Sequence, residues 1–102
     1  MFDGRGDTKG ARMLYVTHYE VVGDRSKERQ GELMAILGER GAAPGQLYHF
    51  VYADGGGGLV VGEETTRLYE DALSYAPYLR LSTRMAVPVE DAVPQIMAWI
   101  NG

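Results

Sequence analysis

The chain contains no cysteine. Disulfides, thiolate metal sites and cysteine nucleophiles are therefore excluded together. A small secreted domain usually leans on such staples, so their absence points to a cytoplasmic protein. Histidine is nearly as scarce, with only His18 and His49. They show no H-x-x-x-H spacing, and no metal site is expected. Positive charge is also in deficit: 10 basic residues stand against 14 acidic ones, for a net charge of −4. Gripping a phosphate backbone needs clustered lysine and arginine, so nucleic acid is not an expected partner. No apolar run approaches the roughly 20 residues of a membrane-spanning helix, and no membrane partner is expected either.

What remains is a chain of 102 residues, enough for one domain. Residues 1–12 read as a flexible leader: they are polar, rich in glycine and lack the apolar centre of a signal peptide. Met13, where an apolar strand begins, is a plausible natural start. Arg5-Gly6-Asp7 matches an adhesion triplet, but a motif in such a leader lacks the structural context that would give it meaning. The domain proper is expected over 13–102. A chain this short buries only about 60–65% of its unfolded surface alone, which makes its core marginal.

Leu14–Val21 is rich in β-branched and aromatic residues and reads as a first strand. A helix is expected from Arg25 to Arg40, with Asp24 before it, Leu33, Ile36 and Leu37 at helical spacing, and Gly41 closing it. Leu47–Ala53 and Leu59–Glu63 read as a second and third strand around a turn opening with Asp54-Gly55. The glycine run 55–58 could suggest a phosphate cradle. It lacks the G-x-G-x-x-G spacing and leads into a strand rather than a helix, which favours the turn. Thr65 and Thr66 are candidate caps for a second helix that Pro77 stops. Tyr78–Val87 is a fourth strand, and Glu90–Ile100 a last helix with Pro94 expected in its first turn. The order β-α-β-β-α-β plus a C-terminal helix is the split βαβ arrangement: a ferredoxin-like α+β fold with a four-stranded antiparallel sheet.

Period-two alternation assigns Leu79, Leu81, Thr83, Met85 and Val87 of the fourth strand to the helices, and Arg80, Ser82, Arg84 and Ala86 to the other face. The first strand divides into Leu14, Val16 and His18 against Tyr15, Thr17 and Tyr19. The second divides into Leu47, His49 and Val51 against Tyr48, Phe50 and Tyr52. Large groups fall on both sides, which a sheet with one face in water does not need. A second copy of the sheet is the simplest cover, and a homodimer is expected.

Several stretches resemble the DUF3303 family of the dimeric α/β-barrel superfamily. They are Met13–His18, the Asp54-Gly55 turn with Gly58–Glu63, Leu68–Tyr75 and Val87–Ala92, and the resemblance covers residues 13–96. Tryptophans that the family carries near His18 and Phe50, and at the position of Tyr75, are absent here. The resemblance implies two sheets closed around a shared interior. The superfamily includes cofactor-free monooxygenases, isomerases and polyketide cyclases as well as haem-binding enzymes, so it fixes no single activity.

Candidate site residues follow from residue type. His18 and His49 are the candidate catalytic groups, as the side chains that exchange protons near neutral pH. Arg80 and Arg84 lie four apart on a strand, about 13 Å from each other on one face, and suit an anionic ligand. Tyr15, Tyr19 and Tyr48, with Tyr52, could orient a planar molecule through their hydroxyls. The expected function is binding of, or cofactor-independent chemistry on, an aromatic or polyketide-like ligand. The alternative is a non-catalytic dimeric module whose interior is filled. An enclosed cavity of roughly 300 Å³ or more would favour the former.

Overall fold

A computed structural model describes residues 12–102. Seven elements follow in the order β1 (Leu14–Val21), α1 (Lys27–Arg40), β2 (Gln46–Val51), β3 (Gly57–Gly62), α2 (Leu68–Tyr75), β4 (Leu79–Ala86) and α3 (Val89–Asn101). The strands form one antiparallel sheet in the order β2-β3-β1-β4. This is the ferredoxin-like α+β arrangement expected from the element order. The leader falls outside the described residues except for Arg12. Arg12 is tied into the domain, its backbone N–H donating to Asp91 and its guanidinium pairing with Glu63.

Helix boundaries follow local chemistry, with some departures from expectation. Ser26 rather than Asp24 caps α1: its hydroxyl accepts from the Arg29 N–H, while the Asp24 carboxylate accepts from the Ser26 N–H. These bonds hold the Asp24 carboxyl below its ordinary pKa. Gly41 closes the helix at φ 71° and donates to the Leu37 carbonyl. Neither Thr65 nor Thr66 caps α2. A turn closed by Leu68 N–H to Thr65 C=O intervenes, so the helix starts at Leu68 behind Arg67 without a side-chain cap. Pro94 lies inside α3 rather than in its first turn. Because the helix begins at Val89, the N–H that proline lacks is one that would have bonded the Glu90 carbonyl.

The Asp54-Gly55 turn forms as its residues require. Gly55 takes φ 78°, Tyr52 N–H donates to Gly57 C=O, and the Asp54 carboxylate accepts from Gly56 N–H. Gly57 and Gly58 belong to β3 rather than to the loop.

Those glycines, with Gly62, shape the core. In the register, Tyr15 lies opposite Gly62 and Tyr19 opposite Gly58, all on the side of the sheet that carries α1 and α2. A Cβ on Gly62 would lie 2.6 Å from Cε2 and Oη of Tyr15. One on Gly58 would collide with the Tyr19 ring and the Phe50 carbonyl. The two tyrosine rings therefore lie across β3 in the space that the missing side chains leave. Between them the Thr17 and Thr83 hydroxyls share a 2.7 Å hydrogen bond across β1 and β4. Tyr15, Thr17 and Leu79 are the buried side chains at the centre, Tyr15 at 1% exposure.

Candidate functional site

Cross-strand partners point to the same face of a sheet, so the register sorts the candidate residues. Tyr15, Thr17, Tyr19 and His49 share the helix-bearing side with Leu79 and Leu81. His18, Tyr48, Arg80 and Arg84 project from the opposite, open side with Phe50, Leu59 and Val61. The alternation expected for the fourth strand matches this register. The expected pool of His18, His49, Tyr15, Tyr19, Tyr48, Arg80 and Arg84 is thus not one site, because a sheet's thickness divides it.

On the helix side, Tyr19 Oη and His49 Nε2 lie 2.7 Å apart, the rings meeting edge to face at 5.7 Å. Tyr19 reaches from β1 over Gly58 to β2, two strands away, which only a glycine in the intervening strand permits. Burial, then the neighbouring Tyr52 and Tyr75, raises the Tyr19 pKa above the ordinary phenol value. The phenol and the imidazole share this hydrogen bond, whose direction follows the imidazole tautomer. Neither residue lines the groove beside Leu79 and Ala72 or the cavity between Leu33 and Tyr78. The pair links β1 to β2.

Tyr15 is the other sequence-derived candidate on this side. Its hydroxyl is buried and finds no hydrogen-bond partner among the described residues. Burial first, then the Asp71 carboxylate, raises its pKa, while Arg67 opposes. Asp71 joins the two helices: it accepts from Arg40 at 2.6 Å and from Arg67 at 3.2 Å, and the hydrogen bond raises the Arg40 pKa. Sequence reasoning did not single out this Arg40–Asp71–Arg67 cluster. Only the spacing of Arg67 and Asp71, one helical turn apart, hinted at half of it.

The open side is different in kind. Tyr48 and Phe50 stack at 6.1 Å with planes 10° apart, and both are more than half exposed. Tyr52 stands 5.4 Å from His18, ring to ring. At the other edge Arg80 pairs with Glu20 of its own chain at 2.6 Å, both well exposed. Arg84 makes no ion pair among the described residues. The face therefore runs from an aromatic wall on β2 to a cation on β4. A cavity of about 430 Å³ is an open groove lined by Leu79, Arg80 and Leu81 of β4, by Val22 just after β1, and by Ala72 of α2 and Ala76 just beyond it.

Among the described residues, no helix is long and apolar enough to cross a membrane, and no three or more His, Asp or Glu side chains gather where they could hold a metal ion. No family model matches the chain, and neither a curated protein nor a solved structure matches it.

Proposed function

We propose that the protein is a homodimeric small-molecule-binding module, in which two open sheet faces close around an interior that takes a planar aromatic anion. One observation carries this reading: a single exposed face bears a stacked aromatic pair at one edge and, at the other, an arginine that makes no ion pair among the described residues. Exposed aromatic groups in a contiguous patch call for a cover, and a symmetric copy supplies one. Three interstrand spacings, about 14 Å, separate the aromatic wall from β4. A ligand of one or two rings and a carboxylate, met by the Arg84 side chain, spans that gap. Arginine suits a carboxylate because its planar fork donates two parallel hydrogen bonds. Proton transfer near neutral pH on this face falls to His18.

Light scattering at micromolar concentration tests the pairing. A dimer is expected for the wild type and a monomer for Phe50→Asp; a wild-type monomer overturns it. Thermal melts with a panel of aromatic carboxylates test the site. At least one should raise the wild-type melting temperature, and Arg84→Met should abolish the rise. A second reading rests on the lining of two cavities, which takes in Arg80 but none of His18, Tyr48, Phe50 and Arg84 of the open face. In that reading the dimer interior is filled and the module is non-catalytic. A stable dimer whose melting temperature no ligand raises selects it.

A further inference from the structure

The sheet ends in two unlike edges. On the edge formed by β4, Arg80 and Arg84 stand on the strand itself. Charge of this kind keeps an exposed edge from pairing with other chains. The edge formed by β2 has no such guard: from Gln46 to Ala53 there is no Asp, Glu, Lys, Arg or Pro. Leu47, Tyr48, His49, Phe50 and Val51 are all exposed, Val51 at 70%.

The backbone along this edge is open in a fixed pattern. Tyr52 N–H donates to Gly57 C=O, and the register continues through Phe50 opposite Leu59 and Tyr48 opposite Val61. Bonded and non-bonded pairs alternate in an antiparallel ladder, so Tyr48 and Phe50 turn their N–H and C=O groups toward β3. His49 and Val51 turn theirs outward, where the sheet has no further strand.

We infer that β2 pairs antiparallel with β2 of a second copy about a two-fold axis at His49, joining the two sheets along this edge. The sequence reads alike from both sides of that axis. Leu47 of one chain falls opposite Val51 of the other, and Tyr48 opposite Phe50, so aliphatic meets aliphatic and aromatic meets aromatic. The two His49 residues, whose N–H and C=O groups point outward, exchange both backbone bonds. The bulge between Gln46 and Tyr48 and the turn at Asp54 bound the paired stretch. A register moved by two residues toward the turn would set Leu47 against Ala53, next to Asp54, and shorten it. The β4 edge offers no equal match, since beside β2 its two arginines would meet a strand without an acidic residue.

On the open side the stacked Tyr48–Phe50 pair would meet its own copy at the axis and double the aromatic wall. A two-fold axis through this seam also permits the open faces to fold onto each other, so the seam needs no third chain. It depends neither on that closure nor on a ligand.

The chain has no cysteine, so cross-links read the register directly. His49→Cys places its thiols on the axis, where the Cα atoms of a hydrogen-bonded pair stand about 5.5 Å apart, within disulfide range. Mild oxidation should convert most of this variant to a disulfide-linked dimer. Tyr48→Cys and Phe50→Cys should cross-link when mixed and stay largely unlinked when oxidised separately, because like residues lie about 7–8 Å apart on the diagonal. Val51→Pro removes an outward N–H and spares the bonds to β3. It should weaken dimerisation at least about tenfold with the circular dichroism unchanged. Should that variant unfold, the cross-links decide alone. A wild-type monomer in light scattering, an open-ended series of oligomers, or separate variants that link as well as mixed ones overturns the seam. Cross-linking at His49 with no melting response to aromatic carboxylates refutes the ligand site and keeps the seam; a ligand response without cross-linking does the reverse.

Discussion

Replacing Gly62 by alanine tests the trough that organises the core. The added methyl would meet Cε2, Oη and Cζ of Tyr15 at 2.6–2.7 Å, well inside van der Waals contact. Tyr15 cannot yield easily, because it is 1% exposed and sits among the buried side chains beneath the helices. Overpacking of this kind costs about 1–3 kcal/mol. For a domain of this size 1 kcal/mol moves the melting temperature by roughly 4–8 °C, so a fall of roughly 8–16 °C is expected for a cost of 2 kcal/mol. Calorimetry or circular dichroism measures it. The specific claim is that the Tyr15 ring is the obstacle, and a double-mutant cycle isolates that. In a Tyr15→Val background the same glycine substitution should cost less than about 0.5 kcal/mol, leaving most of its effect as coupling. Gly31→Ala is the control: nothing lies within 4 Å of its Cβ position, so it should raise helix stability by up to about 1 kcal/mol. If Gly62→Ala melts with the wild type, or costs the same with valine at position 15, the tyrosine-over-glycine packing is wrong.

Two further outcomes follow from the same side of the sheet. Tyr15→Phe removes a buried hydroxyl without a partner among the described residues, and should stabilise the protein by about 1 kcal/mol in urea unfolding; a loss of stability would show that the hydroxyl is bonded. Stability should also decline in alkali. Burial raises the pKa values of Tyr15, Tyr19 and Tyr75 in the folded state, so their contribution is complete below the unfolded phenol value, about 10, and is lost as pH rises through the folded values. Urea midpoints taken from about pH 8 to 11 should stay level and then fall, and Tyr19→Phe should reduce the fall. A midpoint that holds through that range contradicts the burial of these phenols.

The fold was legible because each strand and helix carried its own local signal. β1 has the bounds that its β-branched and aromatic run suggested, and alternation in β4 placed Arg80 and Arg84 away from the helices, as the register does. What could not be read from one strand at a time was how the strands' faces combine. The tyrosines at positions 15, 19 and 48 looked like one aromatic pocket because residue type alone put them together. The bulge between Gln46 and Tyr48 and the pairing of Tyr15 with Gly62 are long-range facts, and they place Tyr15 and Tyr19 on the helix side and Tyr48 on the other.

The glycines misled in the same way. Gly57 and Gly58 were read as loop because glycine is a turn residue in local terms. In the sheet they are strand positions whose missing side chains admit Tyr19 on one side of β3 and the β1 backbone close beside it. Their meaning comes from a tyrosine almost forty residues earlier in the chain, which no window of local sequence contains. The functional consequence is concrete. Once Tyr15, Tyr19 and His49 are assigned to holding the sheet together, the residues left free for recognition are those of the open face, His18, Tyr48, Phe50 and Arg84. That smaller set joins an aromatic surface to a cation, and this is why the proposed ligand is a planar anion and the proposed basic group His18 rather than His49.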